Sequence, residues 1–189
     1  KLQEQYTGKI SLGGGRFVTI DKAIVHPQPF GGYIGLGSDL DGINAALAKY
    51  PNCGIAPLKS TADLKKLNVL IVDPGEFTLD WLYKTPGGQA QKVSNAISDA
   101  GRHRVLREVL DKVEQKLGRP IGASFLSDID VALRNGGNFR IGGQAFDLHA
   151  DEYVNTIKLA VEDPVRQLFG GLRGVEDRID LVAVLGGSP

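Results

Sequence analysis

LNVLIVDPGEFTLD, at residues 67–80, is the stretch of sequence that decides the fold. It contains an apolar run, Val69 to Val72, which is typical of a strand buried on both faces. The run stops at Asp73-Pro74-Gly75, a strong turn signal, and extended chain resumes from Phe77 to Tyr83. The stretch therefore predicts two strands joined by a tight turn, with a carboxylate where the first strand ends.

The polar residues around this turn suit a phosphate chain and a metal ion. Gly75 lets the backbone come close to a ligand, and Thr78 offers a hydroxyl. Asp73 and Asp80 offer two carboxylates, whose oxygens are the kind of ligand that Mg²⁺ prefers. On these residues alone, the alternative is an ordinary β-hairpin with an Asp-Pro-Gly turn, which is a common structure.

A second apolar strand runs directly into glycine. Residues 181–185 read Leu-Val-Ala-Val-Leu, and Gly186-Gly187-Ser188-Pro189 follows. Glycines after a buried strand let a planar or anionic ligand lie against the backbone. The sequence therefore predicts a second ligand-binding loop at the end of this strand.

Together the two loops resemble those of the actin, Hsp70 and sugar-kinase superfamily. The pattern Asp73-x-Gly75-x-x-Thr78-x-Asp80 is similar to its second phosphate loop, and residues 184–188 are similar to its adenosine loop. Within that superfamily, the chain most resembles the plasmid-segregation actins of the ParM or StbA type. Three further features stand in the order expected there: Pro27-Gln28-Pro29, Gly32-Tyr33, and a long helix after Ala100-Gly101-Arg102.

The resemblance implies an α/β fold, the ribonuclease-H-like domain of actins, in which helices flank a mixed sheet. Residues 1–35 would be the tail of the first actin-like half, and residues 36–189 would be the second half. A small subdomain would be inserted at about residues 119–150. The rest of the first half, with its own phosphate loop, would lie outside this sequence, so we expect a fragment of a longer protein.

The resemblance also implies roles for individual residues. Asp73 would hold Mg²⁺ through water and take part in catalysis, and Gln28 would orient the attacking water. The other residues would contact the nucleotide: Gly75, Thr78 and Asp80 at the phosphates, Gly101 at the ribose, and Gly186 and Gly187 under the adenosine. From its neighbours alone, Gln28 is equally an ordinary polar turn residue between two prolines.

The function implied is that of an actin-like ATPase. ATP or GTP with Mg²⁺ would bind between two halves, and copies of the protein would polymerise into filaments for plasmid segregation in the cytoplasm. An adaptor protein would link the filament to plasmid DNA. Because one phosphate loop is missing, we expect this fragment to be inactive alone.

The central stretch departs from the family pattern at two positions. Glu76 stands where a second glycine is usual, and Phe77 replaces a small residue. An additional carboxylate repels phosphates unless it reaches a metal or points away. These two residues favour one alternative, a degenerate actin-like scaffold that assembles without nucleotide. A sugar-kinase-like phosphotransferase of the same superfamily is a separate alternative, and it would need a substrate-binding acid that the sequence does not reveal.

Composition and sequence pattern argue against a nucleic-acid-binding surface, a membrane segment and a cysteine-based structure. The 22 basic and 22 acidic residues cancel and form no basic block, which argues against direct contact with nucleic acid. No apolar run approaches the roughly 20 residues that span a bilayer, so we expect no membrane segment. Cys53 is the only cysteine, which excludes an internal disulfide and a cysteine-based zinc site.

Turn signals and apolar spacing predict the remaining elements. Before the central stretch we expect a hairpin turning on Gly13-Gly14-Gly15, a strand from Ala23 to His26 with Gln28 at its end, a helix capped by Asp39 or Asp41 and ended by Pro51, and a loop over residues 52–66. After it we expect a third strand from Ala90 to Ile97, a helix carrying Val105 to Leu117, a short helix from Phe125 to Leu133, and a hairpin around Gly142-Gly143. A second long helix, capped by Asp151 and kinked or restarted at Pro164, then precedes a strand that begins at Ile179.

Overall fold

The computed structural model describes residues 7–90 and 92–186. Gly187, one of the predicted adenosine-binding residues, lies outside the described residues. The strands are β1 (Gly8–Gly13), β2 (Arg16–Ile20), β3 (Val69–Pro74), β4 (Thr78–Thr85), β5 (Gly88–Gln89), β6 (Asn95–Ser98), β7 (Asn138–Ile141), β8 (Gln144–Asp147) and β9 (Leu181–Val184). The α-helices are α1 (Gln28–Ser38), α2 (Leu40–Leu47), α3 (Thr61–Leu64), α4 (Arg102–Leu117), α5 (Leu126–Arg134) and α6 (Asp151–Gly171).

Strand β3 is central to a mixed sheet. Strand β4 pairs with it in antiparallel fashion, and β9 pairs with its other edge in parallel fashion. Strands β5 and β6 both pair with β4. The predicted α/β architecture, with a mixed sheet flanked by helices, is therefore confirmed.

The two faces of β3 pack against different helices, because successive side chains of a strand point to opposite faces. Val69 and Ile71 belong to a core that includes Tyr33 of α1, Ile43 of α2 and Leu64 of α3. On the other face, a second core is formed by Leu70, Leu79, Trp81, Leu168 and Leu172. Burial on both faces explains why the sequence of β3 is a continuous apolar run.

A small subdomain stands between the two long helices α4 and α6. It contains α5 and the β7–β8 hairpin, which turns at Gly142 and Gly143 as predicted. Its core is shared with both long helices and contains, among others, Val109, Ile129, Phe139, Leu148 and Tyr153. Helix α6 therefore contributes to this core through Tyr153 and to the sheet core through Leu168.

The strand predicted from Ala23 to His26 is wrong, and so is the position of Gln28 at a strand end. No regular structure is assigned to those residues, and α1 begins at Gln28 itself. Pro27 and Pro29 set the backbone at the start of this helix, where a missing amide hydrogen costs nothing. The four glycines of α1 lower its helix propensity and hid the helix from sequence arguments. At Gly32 the absence of a side chain leaves room for the end of the Leu185 side chain.

Other element boundaries also differ from the prediction. Helix α3 lies inside the predicted loop, and the third strand covers only Asn95 to Ser98. Asp39 caps α2 as predicted, by accepting a hydrogen bond from the Gly42 amide at 3.0 Å. The last strand begins at Leu181, two residues later than predicted, and the amides of Asp180 and Leu181 both donate to Asn68 O.

Helix α6 differs from the prediction at its N-cap, and it excludes one of the two outcomes expected at Pro164. Asp151 is its first residue, and the N-cap position is Ala150. The helix does not restart at Pro164, which is fully buried inside it. Burial of the proline ring offsets part of the cost of the internal hydrogen bond that proline removes.

The N-terminal hairpin differs from the rest of the chain. Strands β1 and β2 pair as predicted around the glycines, with Ile10 opposite Val18. Every residue of the hairpin is exposed except Ile20, which is half-buried. Within the part of the chain that the structure describes, no helix has both the length and the apolar character needed to cross a membrane.

Candidate functional site

The candidate site lies where β3 ends and β4 begins. Asp73 of β3 stands directly opposite Asp80 of β4, just as Ile71 stands opposite Leu82. These residues share a face, since every second residue of a strand points the same way. Asp73 is only 9% exposed, and Asp80 is half-buried. The two predicted carboxylates are therefore brought side by side on the sheet.

Thr78 is the third polar residue on this face. Its hydroxyl donates a hydrogen bond of 2.5 Å to Asp80 Oδ2. The bond fixes the Asp80 carboxylate and orients the hydroxyl along the strand. The hydroxyl oxygen can still accept a hydrogen bond, but a phosphate oxygen would compete with Asp80 for its proton.

The turn between β3 and β4 is held by the start of α4. The Gly75 amide donates to Thr78 O across the turn at 2.9 Å. The amides of Arg102 and His103 donate to Gly75 O at 3.0 Å and to Glu76 O at 2.8 Å. The first helical amides, which lack partners within a helix, are thus satisfied by the turn. This anchoring gives the turn one defined shape.

Close packing explains Gly101, and to a lesser degree it favours Gly75. A Cβ on Gly75 would lie 3.3 Å from Thr78 O. A Cβ on Gly101 would lie 2.6 Å from the Glu76 carbonyl carbon. Gly101, predicted to approach a ribose, therefore contacts the phosphate-loop candidate in this structure.

Gly186 approaches Asp73 from the neighbouring strand. The parallel pairing of β9 with β3 brings the ends of both strands to the same edge of the sheet. Gly186 has φ +87°, and a Cβ built on it would overlap Asp73 Oδ1. Only glycine fits both this backbone conformation and this contact. Two predicted site residues that are 113 positions apart thus lie together.

Gln28 lies with Asp80 but apart from the Asp73 turn. It is exposed in the first turn of α1 and lines a cavity of about 300 Å³ together with Asp80. Pro27, Pro29 and Trp81 also line this cavity, whereas Asp73, Gly75 and Gly186 do not. Asp80, the cross-strand neighbour of Asp73, is therefore the predicted site residue that also lines the cavity of Gln28.

The two unusual residues of the turn both point toward α4. Glu76 Oε2 lies 3.0 Å from Arg102 Nε, and the Phe77 ring lies 5.0 Å from that of His103, measured between centroids. Arg102 Nε is buried without a hydrogen-bond partner, so its contact with Glu76 is an ion pair in unfavourable hydrogen-bond geometry. Asp130 Oδ1 lies 3.7 Å from the same nitrogen.

Arg102 and Asp130 are absent from the site predicted by sequence. An arginine at the first position of the helix that follows the turn was a usable signal for Arg102. No local signal pointed to Asp130, because tertiary contacts in the subdomain core place α5 against α4.

The chemistry around Asp73 fits a hydrated cation. Among residues 7–90 and 92–186, no ion pair or hydrogen bond to its carboxylate is found, although the residue is almost buried. The Asp73 oxygens are not among the buried side-chain atoms that lack a hydrogen-bond partner, so the tip of the carboxylate reaches water, where a hydrated cation can bind it. The same described ranges contain no group of three His, Cys, Asp or Glu side chains able to hold a metal. Any cation at Asp73 would therefore need ligands from water and a phosphate.

Models of protein families give no match to this sequence, and curated proteins give none either. Solved structures do match. An archaeal actin homolog, Ta0583 in complex with ADP, superposes with a TM-score of 0.63 at 14% identity, over 90% of this chain and 47% of that chain. This chain has an actin-like fold. The fold also matches ParM in a 15-stranded filament from Clostridium botulinum, with a TM-score of 0.59 at 13% identity, over 93% of this chain and 47% of that chain.

A third actin-like structure extends the comparison. The non-polymerisable quadruple mutant of pCBH ParM matches with a TM-score of 0.57 at 14% identity, over 93% of this chain and 48% of that chain. The chain thus spans about half the length of these structures. At such identities the likeness establishes the fold, and the site must be judged on its own residues.

Proposed function

We propose that this chain is part of an actin-like ATPase that binds ATP with Mg²⁺ and assembles with copies of itself. The observation that carries the proposal is the juxtaposition of Asp73 with Gly186. A nearly buried carboxylate without a partner among the described residues lies against a glycine loop at the end of a parallel strand. The actin-like fold, matched by an ADP complex and by a filament, supports this assignment.

Each residue of the site has a distinct part in this proposal. Asp73 would hold Mg²⁺ through water, and the backbone at Gly75 with the Thr78 hydroxyl would contact phosphate oxygens. Mg²⁺, when bound, would supply positive charge that stabilises the phosphates during hydrolysis. Asp80 would fix Thr78 through their hydrogen bond.

Gln28, Gly101 and the adenosine loop complete the assignment. Gln28 is exposed in the cavity that it shares with Asp80, which suits a side chain that orients water. Gly101 would act on the nucleotide through the turn that it contacts. Gly186 and Gly187 would lie under the adenosine, or under guanosine if GTP is the substrate.

The cellular role in this proposal rests on the resemblance to ParM. By resemblance to ParM, the complete protein would form cytoplasmic filaments that segregate plasmids through a DNA-binding adaptor. This chain spans about half the length of the matched structures, so the activity belongs to the full-length protein. Residues 1–35 would complete its first half, and residues 36–189 would form the second, with the inserted subdomain at about residues 119–150.

The test is Mg²⁺-dependent binding of ATP and GTP to the full-length protein, measured by calorimetry. Asp73→Asn removes the charge proposed to hold the cation, so we expect affinity to fall at least about tenfold. Asp163→Asn is the matched control, because Asp163 is exposed on α6. The proposal is wrong if the unaltered protein binds neither nucleotide.

A scaffold that assembles without nucleotide is the second candidate. Two observations favour it: the Thr78 hydroxyl is already bonded to Asp80, and Glu76 adds a carboxylate beside the turn. Light scattering separates the two candidates. Assembly that is equal with and without nucleotide supports the scaffold, and assembly that requires nucleotide supports the ATPase.

A further inference from the structure

A row of four charged side chains leads from the turn after β3 into the inserted subdomain. Glu76 in the turn faces Arg102 at the start of α4, with 3.0 Å between Oε2 and Nε. Asp130 of α5 faces the same nitrogen at 3.7 Å, and Arg134 Nη2 lies 2.6 Å from Asp130 Oδ2. The row thus connects three separate segments of the chain.

The row is only partly open to solvent. The Asp130 side chain is 15% exposed, while those of Arg102 and Glu76 are 37% and 43% exposed. Charges that are partly shielded from water interact more strongly than fully exposed ones. Arg102 also holds the turn through its backbone, because its amide donates to Gly75 O. Both parts of this residue therefore act on the same turn.

The charges in the row are balanced. Two carboxylates face two guanidinium groups, and Arg102 is the member that contacts both carboxylates. Without Arg102, Glu76 and Asp130 would repel each other, and Glu76 would be left uncompensated in the turn. A free negative charge there opposes the approach of any anion.

We propose that Arg102 is a positioning residue for the phosphate loop. It draws Glu76 toward α4 and neutralises it, so that the turn accepts phosphate in spite of its extra carboxylate. Through Asp130 it also ties the turn to the inserted subdomain. This inference rests on the proposed nucleotide site. It explains how the turn tolerates Glu76 at a position where the family pattern has glycine.

Nucleotide affinity tests the inference through a rescue. In the full-length protein, Arg102→Gln exposes Glu76 and should weaken ATP binding about tenfold. Adding Glu76→Gln removes the uncompensated carboxylate, and the affinity for ATP should return to within about threefold of that of the unaltered protein. Arg166→Gln is the matched control, since Arg166 pairs with Glu162 on the exposed side of α6. Arg102→Lys keeps the charge and should retain affinity if the glutamine variant does not fold.

Equal weakening in the single and double variants would overturn the inference, because Arg102 would then act on the nucleotide itself or on folding alone. So would unchanged affinity in Arg102→Gln.

A second readout needs no nucleotide and separates this inference from the proposed function. Hydrogen exchange of the His103 amide reports its bond to Glu76 O. We expect faster exchange in Arg102→Gln and recovery in the double variant. If the unaltered protein binds no nucleotide, the proposed function fails, while this pattern still supports the positioning of the turn by Arg102. Identical exchange in all variants overturns the positioning itself.

Discussion

Two hairpins of this chain share a local sequence pattern but differ in how they pack against the rest of the protein. Both β1–β2 and β3–β4 are antiparallel pairs joined at glycine. The first is exposed along nearly its whole length, whereas Val69, Ile71 and Leu82 of the second are entirely buried. Local signals therefore predict strand pairing, and the surrounding packing decides what a hairpin can position.

The turns of the two hairpins show the same contrast. A Cβ on Gly13, Gly14 or Gly15 would meet nothing within 4 Å, so the first turn is free of neighbours at those positions. The second turn accepts hydrogen bonds from the amide of Ala100, just before α4, and from those of Arg102 and His103 at its start. A turn that is held in this way can present backbone groups to a ligand at fixed positions.

The largest expected effect comes from truncating one isoleucine in each hairpin. Ile71→Ala removes a fully buried side chain and should lower the free energy of unfolding by about 2–5 kcal/mol. Ile10 is 40% exposed, so Ile10→Ala should change that free energy by no more than about 0.5 kcal/mol. Urea denaturation measures both, and equal losses would contradict the contrast between the hairpins.

An intermediate effect is expected where the second turn meets α4. Gly101→Ala places a methyl group against the backbone of Glu76 and should cost about 1–3 kcal/mol. Gly35→Ala is the control, because a Cβ there meets nothing within 4 Å. Alanine also favours the helix, so this control should gain up to about 1 kcal/mol. Thermal unfolding of both variants checks the prediction, and a neutral Gly101→Ala would mean that the turn is not anchored.

The smallest effect concerns a third turn, which is held by a side chain. Glu114 Oε1 accepts hydrogen bonds from the amides of Ile121 at 2.8 Å and Gly122 at 3.0 Å. These bonds, that of Gly122 first, lower the pKa of Glu114 below its ordinary value of 4.5. A carboxyl group with a lowered folded-state pKa stabilises the fold above its unfolded-state pKa, and that stability is lost as the pH falls through the folded-state pKa.

Glu114→Gln should therefore be less stable than the unaltered protein at neutral pH, and the difference should shrink as the pH falls below about 4.5. Glu108→Gln, an exposed change on the same helix, serves as the control. Denaturant midpoints measured between pH 3 and pH 7 give the comparison. A difference that stays constant over this range would show that the two amide bonds do not depend on the charge.

Much of the fold was readable from the sequence, because its signals are local. The apolar run of β3, the stripe of α4 and the glycines at residues 142–143 each specify an element without reference to distant residues. Helix α1 was missed because its glycines lower its propensity, while its stability depends on packing of Tyr33 against the sheet. Tertiary contacts thus outweighed the local preference.

The site was readable only in part. Asp73, Thr78 and Asp80 lie close together because they belong to one hairpin, whose register the apolar pattern fixes. The contact between Asp73 and Gly186 requires the parallel pairing of β9, which no local pattern encodes. The Glu76–Arg102–Asp130 contacts depend on how α5 folds back on α4, so sequence spacing could not predict them.

Helix α6 links the core of the sheet to the core of the subdomain. Tyr153 near its start is part of the subdomain core, and Leu168 near its end is part of the sheet core. Pro164 lies between them and is buried, so the helix is covered there as well. If either core unfolded, helix α6 would lose the side chains against which one of its ends packs. The sheet and the subdomain are therefore thermodynamically coupled, and they should lose structure in one cooperative transition.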